Sequence, residues 1–123
     1  MGQGKPLSGK KILIVEDNFL VSEDLQQLVR AADGEVAKSA ASMGDALCAL
    51  DDGEFDGALL DVQLQDGNCA EVARRLSCKN IPFIVVTGYA RDWLAPELRK
   101  APYLSKPFDR KDLIDLAARH FRS

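Results

Sequence analysis

The feature that most restricts this chain is the alternation of short, continuous apolar runs with segments whose apolar residues recur at helical spacing. An unbroken run of four or five apolar residues suits a strand buried on both faces, and parallel strands need a crossover between them, usually a helix. Five strands are read. They are Lys11 to Val15, a weaker edge strand from Glu35 to Ser39, central strands from Gly57 to Leu60 and Phe83 to Val86, and a short last one at Tyr103 and Leu104. Between the first two, Val21, Leu25, Leu28, Val29 and Ala32 share one helix face, with Asn18 as a possible N-cap and Gly34 just past the end. Ser42 to Leu50 and Asn68 to Ser77 form the second and third helices. Asp109 caps the fifth, which carries Leu113, Ile114, Ala117 and Phe121 inward. The fourth, near Arg91 to Lys100, is interrupted by Pro96 and should be short or irregular. Repeated βαβ units imply an α/β, doubly wound, five-stranded parallel sheet with five helices.

A length of 123 residues is enough for one core. Residues 1–8 read as a flexible N-terminal tail and residues 9–123 as the folded domain, with no output domain expected. Sixteen Lys and Arg against nineteen Asp and Glu give a net charge of -3, which offers no pull toward nucleic acid or an anionic membrane. No apolar run approaches the roughly 20 residues of a membrane helix. Cys48, Cys69 and Cys78 are odd in number and lack CxxC spacing, as suits reduced thiols in a cytoplasmic protein. The single histidine, His120, lies in the last turn of the final helix without catalytic companions.

Open parallel sheets bind ligands outside the carboxyl ends of their strands, where the strand order reverses. Glu16 and Asp17 follow the first strand, Asp61 ends the third, Thr87 ends the fourth and Lys106 follows the fifth. Each alone is an ordinary polar residue closing a strand. Together they fall on the one edge where such folds carry their sites. Crowded carboxylates favour a hard cation such as Mg²⁺, with Asp17 the leading ligand and Mn²⁺ a possible substitute. An Asp carboxylate can act as nucleophile and form an aspartyl phosphate if the charge developing on the transferred group is neutralised. Asp61 holds that position. Lys106 suits one phosphate oxygen as a compact cation, and the Thr87 hydroxyl and Gly88 backbone N–H suit another.

Four motifs in order, KILIVEDN, ALLDVQLQDG, IVVTG and YLSKPF, strongly resemble the response-regulator receiver family, also called CheY-like, over almost the whole chain. The resemblance implies a flavodoxin-like sheet of order 2-1-3-4-5, Mg²⁺-dependent phosphorylation of Asp61, and a histidine kinase or histidine phosphotransfer protein as donor. It matches Glu16 and Asp17 to the acidic metal-binding pair, with Glu16 replacing the commoner Asp. The Gln63 backbone carbonyl matches a further metal ligand, Thr87 and Lys106 the switch pair, and Tyr103 the switch aromatic. A cis Lys106–Pro107 bond is also implied. PFIVVTGY partly resembles the alphaproteobacterial FAT GUY subgroup of single-domain regulators. Pro82, Phe83, Thr87, Gly88 and Tyr89 fit it, whereas Val85 and Val86 depart from its Phe and Ala.

Such a chain would not be an enzyme with turnover, and would signal to a downstream protein through the surface from helix four to helix five. Thr87 would move toward the phosphate and Tyr103 would turn into the vacated space. Four other readings compete. A phosphorylation-independent adaptor, or a phosphate sink, would use the same fold. A haloacid dehalogenase-type phosphatase needs a DxD after strand one, where this chain has Glu16-Asp17-Asn18. A flavin module needs a Ser/Thr/Gly-rich phosphate loop there, and carboxylates would repel a phosphate.

Overall fold

The structure is a computed structural model and describes residues 6–61, 69–88 and 96–121. Strands and helices alternate without exception: β1 Lys11–Val15, α1 Phe19–Ala31, β2 Glu35–Ala40, α2 Met43–Asp52, β3 Gly57–Asp61, α3 Cys69–Cys78, β4 Phe83–Thr87, α4 Pro96–Arg99, β5 Tyr103–Ser105 and α5 Arg110–His120. All neighbouring strands pair in parallel, in the order β2-β1-β3-β4-β5. The doubly wound sheet and its order are those expected. Because the chain steps from β1 outward to β2 and then back across to β3, the carboxyl ends of β1 and β3 border a crevice.

The continuous apolar runs are explained by what lies on each side of the sheet. In β1, Ile12 and Ile14 pack with Leu25, Leu28 and Val29 of α1 and with Leu113 and Ala117 of α5. Leu13 and Val15 point the other way, toward Met43, Ala46 and Leu50 of α2 and Val72, Ala73 and Leu76 of α3. Strand side chains alternate faces, so only a sheet covered on both sides makes every position apolar. Each of the five residues of β3 and of β4 is buried.

Local signals set the helix starts. Asn18 Oδ1 accepts a hydrogen bond from the Val21 N–H at 3.0 Å, and Asp109 Oδ1 accepts one from Lys111 N–H at 2.9 Å. Ser42 Oγ accepts from Asp45 N–H at 3.0 Å, which starts α2 at Met43. Each satisfies a donor that the first turn leaves without a partner. α4 is a single turn opening at Pro96, a position where the missing N–H costs nothing. The rest of the helix expected near Arg91 lies outside the described residues.

Residues 6–8, expected in the tail, are packed against the domain. Leu7 is 1% exposed, packs into the α1–α5 side of the core, and donates its N–H to Ala32 C=O at 2.9 Å. Burying a leucine contributes about 1.5–3 kcal/mol, so residues 6–8 belong to the packed unit. A lone Leu between Pro6 and Ser8 carries no periodic signal, which is why it reads as tail.

Candidate functional site

The site assembles from strand ends. β1 hands over to Glu16, whose N–H donates to Ala40 C=O at 2.9 Å, holding the chain in line one residue beyond the strand. Asp17 and Asn18 then turn the chain into α1. Asp61 is the last residue of β3 and lies in register with Val86 of β4. Thr87 closes β4 and pairs with Ser105, and the Lys106 N–H donates to Thr87 C=O at 2.8 Å. The Lys106–Pro107 peptide bond is cis, as the family resemblance implies.

Sheet pairing therefore brings together residues that are 45 and 90 positions apart. Lys106 Nζ lies 2.6 Å from Asp61 Oδ2 and 3.5 Å from Glu16 Oε1. Carboxylate oxygens of Glu16, Asp17 and Asp61 all lie within 4.8 Å of one another. Glu16, Asp61 and Thr87 are 3%, 2% and 0% exposed, whereas Asp17 faces solvent. Gly88, next to Thr87, is exposed. Tyr103 is half-buried, opposite Val85 in the β4–β5 ladder, and packs against the α2–α3 side of the core. Gln63 and Tyr89 lie outside the described residues.

Burial drives the electrostatics. Desolvation pushes the Glu16 carboxyl up to about 8, and a hydrogen bond to Asp61 together with the like charge of that group pushes in the same direction. The Asn18 N–H, donating to Glu16 Oε2 at 3.1 Å, and the Lys106 charge pull the other way. Burial alone would lower the Lys106 ammonium. Its hydrogen bond to Asp61 and the charges of Asp61 and Glu16 outweigh that and raise it above its usual 10.5. One ammonium against three carboxylates leaves the edge negative.

These residues fit a hard divalent cation. All the donors are carboxylate oxygens, and a metal about 2.1 Å from each needs them roughly 3–4 Å apart, a separation that lies inside the 4.8 Å limit found here. Lys106 adds a cation in direct contact with Asp61. Sequence reasoning missed Asn18 as a member of the site. Its side chain caps α1 while its N–H steadies Glu16, a dual role signalled only by its place two residues after that carboxylate. Cys48 and Cys78 are exposed, and among the described residues no cysteine or histidine joins the carboxylate cluster.

Comparison with known proteins agrees with this fold. The family described as the response regulator receiver domain matches residues 12–118. The sensory transduction protein LytT of Bacillus cereus is 36% identical over 108 residues, covering 85% of this chain and 44% of LytT, so the chain spans about half the length of such relatives. Among solved structures, the response regulator PhyR from Brucella abortus has a TM-score of 0.81 and 26% identity, over 98% of this chain and 51% of PhyR. SdrG from Sphingomonas melonis has a TM-score of 0.74 and 32% identity, over 92% of this chain and 96% of SdrG. A five-stranded sheet of order 2-1-3-4-5, an acidic crevice at its carboxyl edge and a family match spanning both core layers lead to one conclusion: the chain belongs to the response regulator receiver domain family of two-component systems.

Proposed function

We propose that Asp61 accepts a phosphoryl group from the phosphohistidine of a histidine kinase or histidine phosphotransfer protein, and that the modified domain changes its binding to a downstream protein. The observation that carries this reading is the pairing of a nearly buried Asp61 with Lys106 at 2.6 Å, beside two further carboxylates at the open edge of the sheet. An Asp61 carboxylate oxygen forms the new P–O bond as the P–N bond to the donor imidazole breaks. The electron pair of that bond leaves with the donor imidazole, whose other ring nitrogen carries a proton, so the ring departs neutral. Lys106 then exchanges part of its contact with Asp61 for a phosphoryl oxygen, and the Thr87 hydroxyl and Gly88 N–H meet another.

Asp17, Asp61 and Glu16, with the Gln63 carbonyl, would hold Mg²⁺ or Mn²⁺. Bound there, the ion offsets negative charge gathering on the phosphoryl oxygens. The chain's own residues provide position and charge, and no substrate is turned over. Thr87 and Tyr103 couple the site to the surface running from α4 through β5 to α5: Thr87 ends the strand against which β5 pairs, and Tyr103 begins β5. Such a role belongs in the cytoplasm, and among the described residues no helix is long and apolar enough to cross a membrane.

Reduction with borohydride converts an acyl phosphate on Asp61 to homoserine. After treatment with acetyl phosphate and Mg²⁺, peptide mass spectrometry is expected to place homoserine at position 61. Its appearance at another carboxylate, or nowhere, would count against the assignment. An adaptor that ignores phosphorylation would capture the same partners in pulldowns with wild type and with Asp61→Asn.

A further inference from the structure

At the amino edge of the sheet, opposite the acidic crevice, a groove of about 800 Å³ opens between the ends of α3, α4 and α5. Its apolar lining comes from Ile81, Phe83 and Ala101, with Pro82, Pro96 and Pro102 as walls that offer no N–H donors. Ile81, Phe83 and Ala101 are 7%, 8% and 9% exposed, so each shows only a small facet. Polar groups stand at the rim. Arg74 is already paired with Glu71 at 2.5 Å and with Glu97 at 3.4 Å, whereas the side chains of Lys100 and His120 have no hydrogen-bond or ion-pair partner among the described residues. In a chain of net charge -3, the groove therefore has at its rim one cation, Lys100, that no described residue pairs, beside the imidazole of His120. The negative ends of α3 and α5 partly account for basic residues here, but not for the apolar floor beneath them.

We propose that this groove binds a small apolar carboxylate, its hydrocarbon part on Ile81, Phe83 and Ala101 and its carboxylate at the rim that Lys100 and His120 help to form. The volume lies within the range of small-molecule sites, and a mostly apolar lining with a few polar groups is their usual composition. Four residue steps along β4, at about 3.3 Å each, separate Phe83 in the groove from the end of the strand at Thr87, so a ligand does not touch the acidic crevice. It does touch Ala101 and Pro102, immediately before Tyr103. The Val85 N–H donates to Pro102 C=O at 2.9 Å, so the groove is built into the α4–β5 connection. A ligand there biases the position of α4 and β5 without phosphorylation, and the inference does not depend on Asp61 being an acceptor.

Sodium decanoate titrated into the full chain, followed by ¹⁵N NMR, tests the site. Saturable shifts confined to residues 74–83, 96–102 and 120, with a dissociation constant of about 1 mM or tighter, are expected. Lys100→Glu and His120→Glu alter exposed side chains and should each weaken binding at least about fivefold, the chain-matched cationic surfactant decyltrimethylammonium should not bind, and decanoate should slow alkylation of Cys78. No saturable binding, equal binding of both head groups, or affinity unchanged within about twofold in both variants overturns the proposal. A groove that takes only an apolar segment of another protein gives the first of those results and is likewise a refutation.

Discussion

Glu16 is nearly sealed from solvent with Asp61 beside it, and its carboxyl is held up at about 8. In the unfolded chain the same group titrates near 4.5. Between those values the folded state binds more protons than the unfolded one, so stability falls as pH rises through that window and the penalty is complete above about 8. Glu16→Gln removes the titration. In buffer with EDTA, urea midpoints of wild type and variant should be close at pH 4.5, with the variant increasingly the more stable toward pH 8.5; a constant offset would contradict the burial of an ionisable Glu16. The presence of Glu16, Asp61, Thr87 and Lys106 at strand ends was legible in the sequence because each interrupts or follows an apolar run. Their contacts were not. That Lys106 reaches both Asp61 and Glu16 follows from the lateral order of β1, β3, β4 and β5, which no local spacing encodes.

Elements show the same division between local and non-local causes. Helix starts were legible, since Asn18 and Asp109 act within their own first turns. The end of α1 was less so. Asp33, with φ of 69°, takes the left-handed position, and Gly34 is needed for space, because a Cβ there would lie 2.8 Å from Val29 Cγ1. Gly57 has a similar constraint that only the fold creates. A Cβ at Gly57 would approach the Phe121 ring within 2.5 Å, and Phe121, just after α5, is 2% exposed. Gly57→Ala should therefore destabilise by about 1–3 kcal/mol in urea unfolding, and a change under about 0.5 kcal/mol would mean that the ring yields freely. α4 is a single described turn, anchored by Leu98, which is 3% exposed, and tied to α3 by the Arg74–Glu97 pair. With beryllofluoride and Mg²⁺ as a phosphoryl mimic, NMR shifts are expected at Thr87, Leu98 and residues 101–105. Shifts limited to residues around Asp17 and Asp61 would leave the switch without a path to α4 and β5.

At the scale of the whole molecule, two core layers on one sheet leave only its edges for chemistry, and the acidic cluster lies on the carboxyl edge. The alternation of apolar runs and amphipathic segments was sufficient to read the fold class, because a strand covered on both faces has no solvent side to mark with polar residues. The strand order required a family resemblance, since periodicity does not distinguish the two common windings. Leu7 escaped because one residue has no period. The central claim is that this edge exists to phosphorylate one carboxylate, and intact-mass spectrometry after treatment with acetyl phosphate and Mg²⁺ tests it most directly. A single phosphoryl adduct on the wild-type chain, suppressed by EDTA and lost in Asp61→Asn, is the expected result; no adduct under conditions that label another receiver domain, or an adduct that persists in Asp61→Asn, would contradict it.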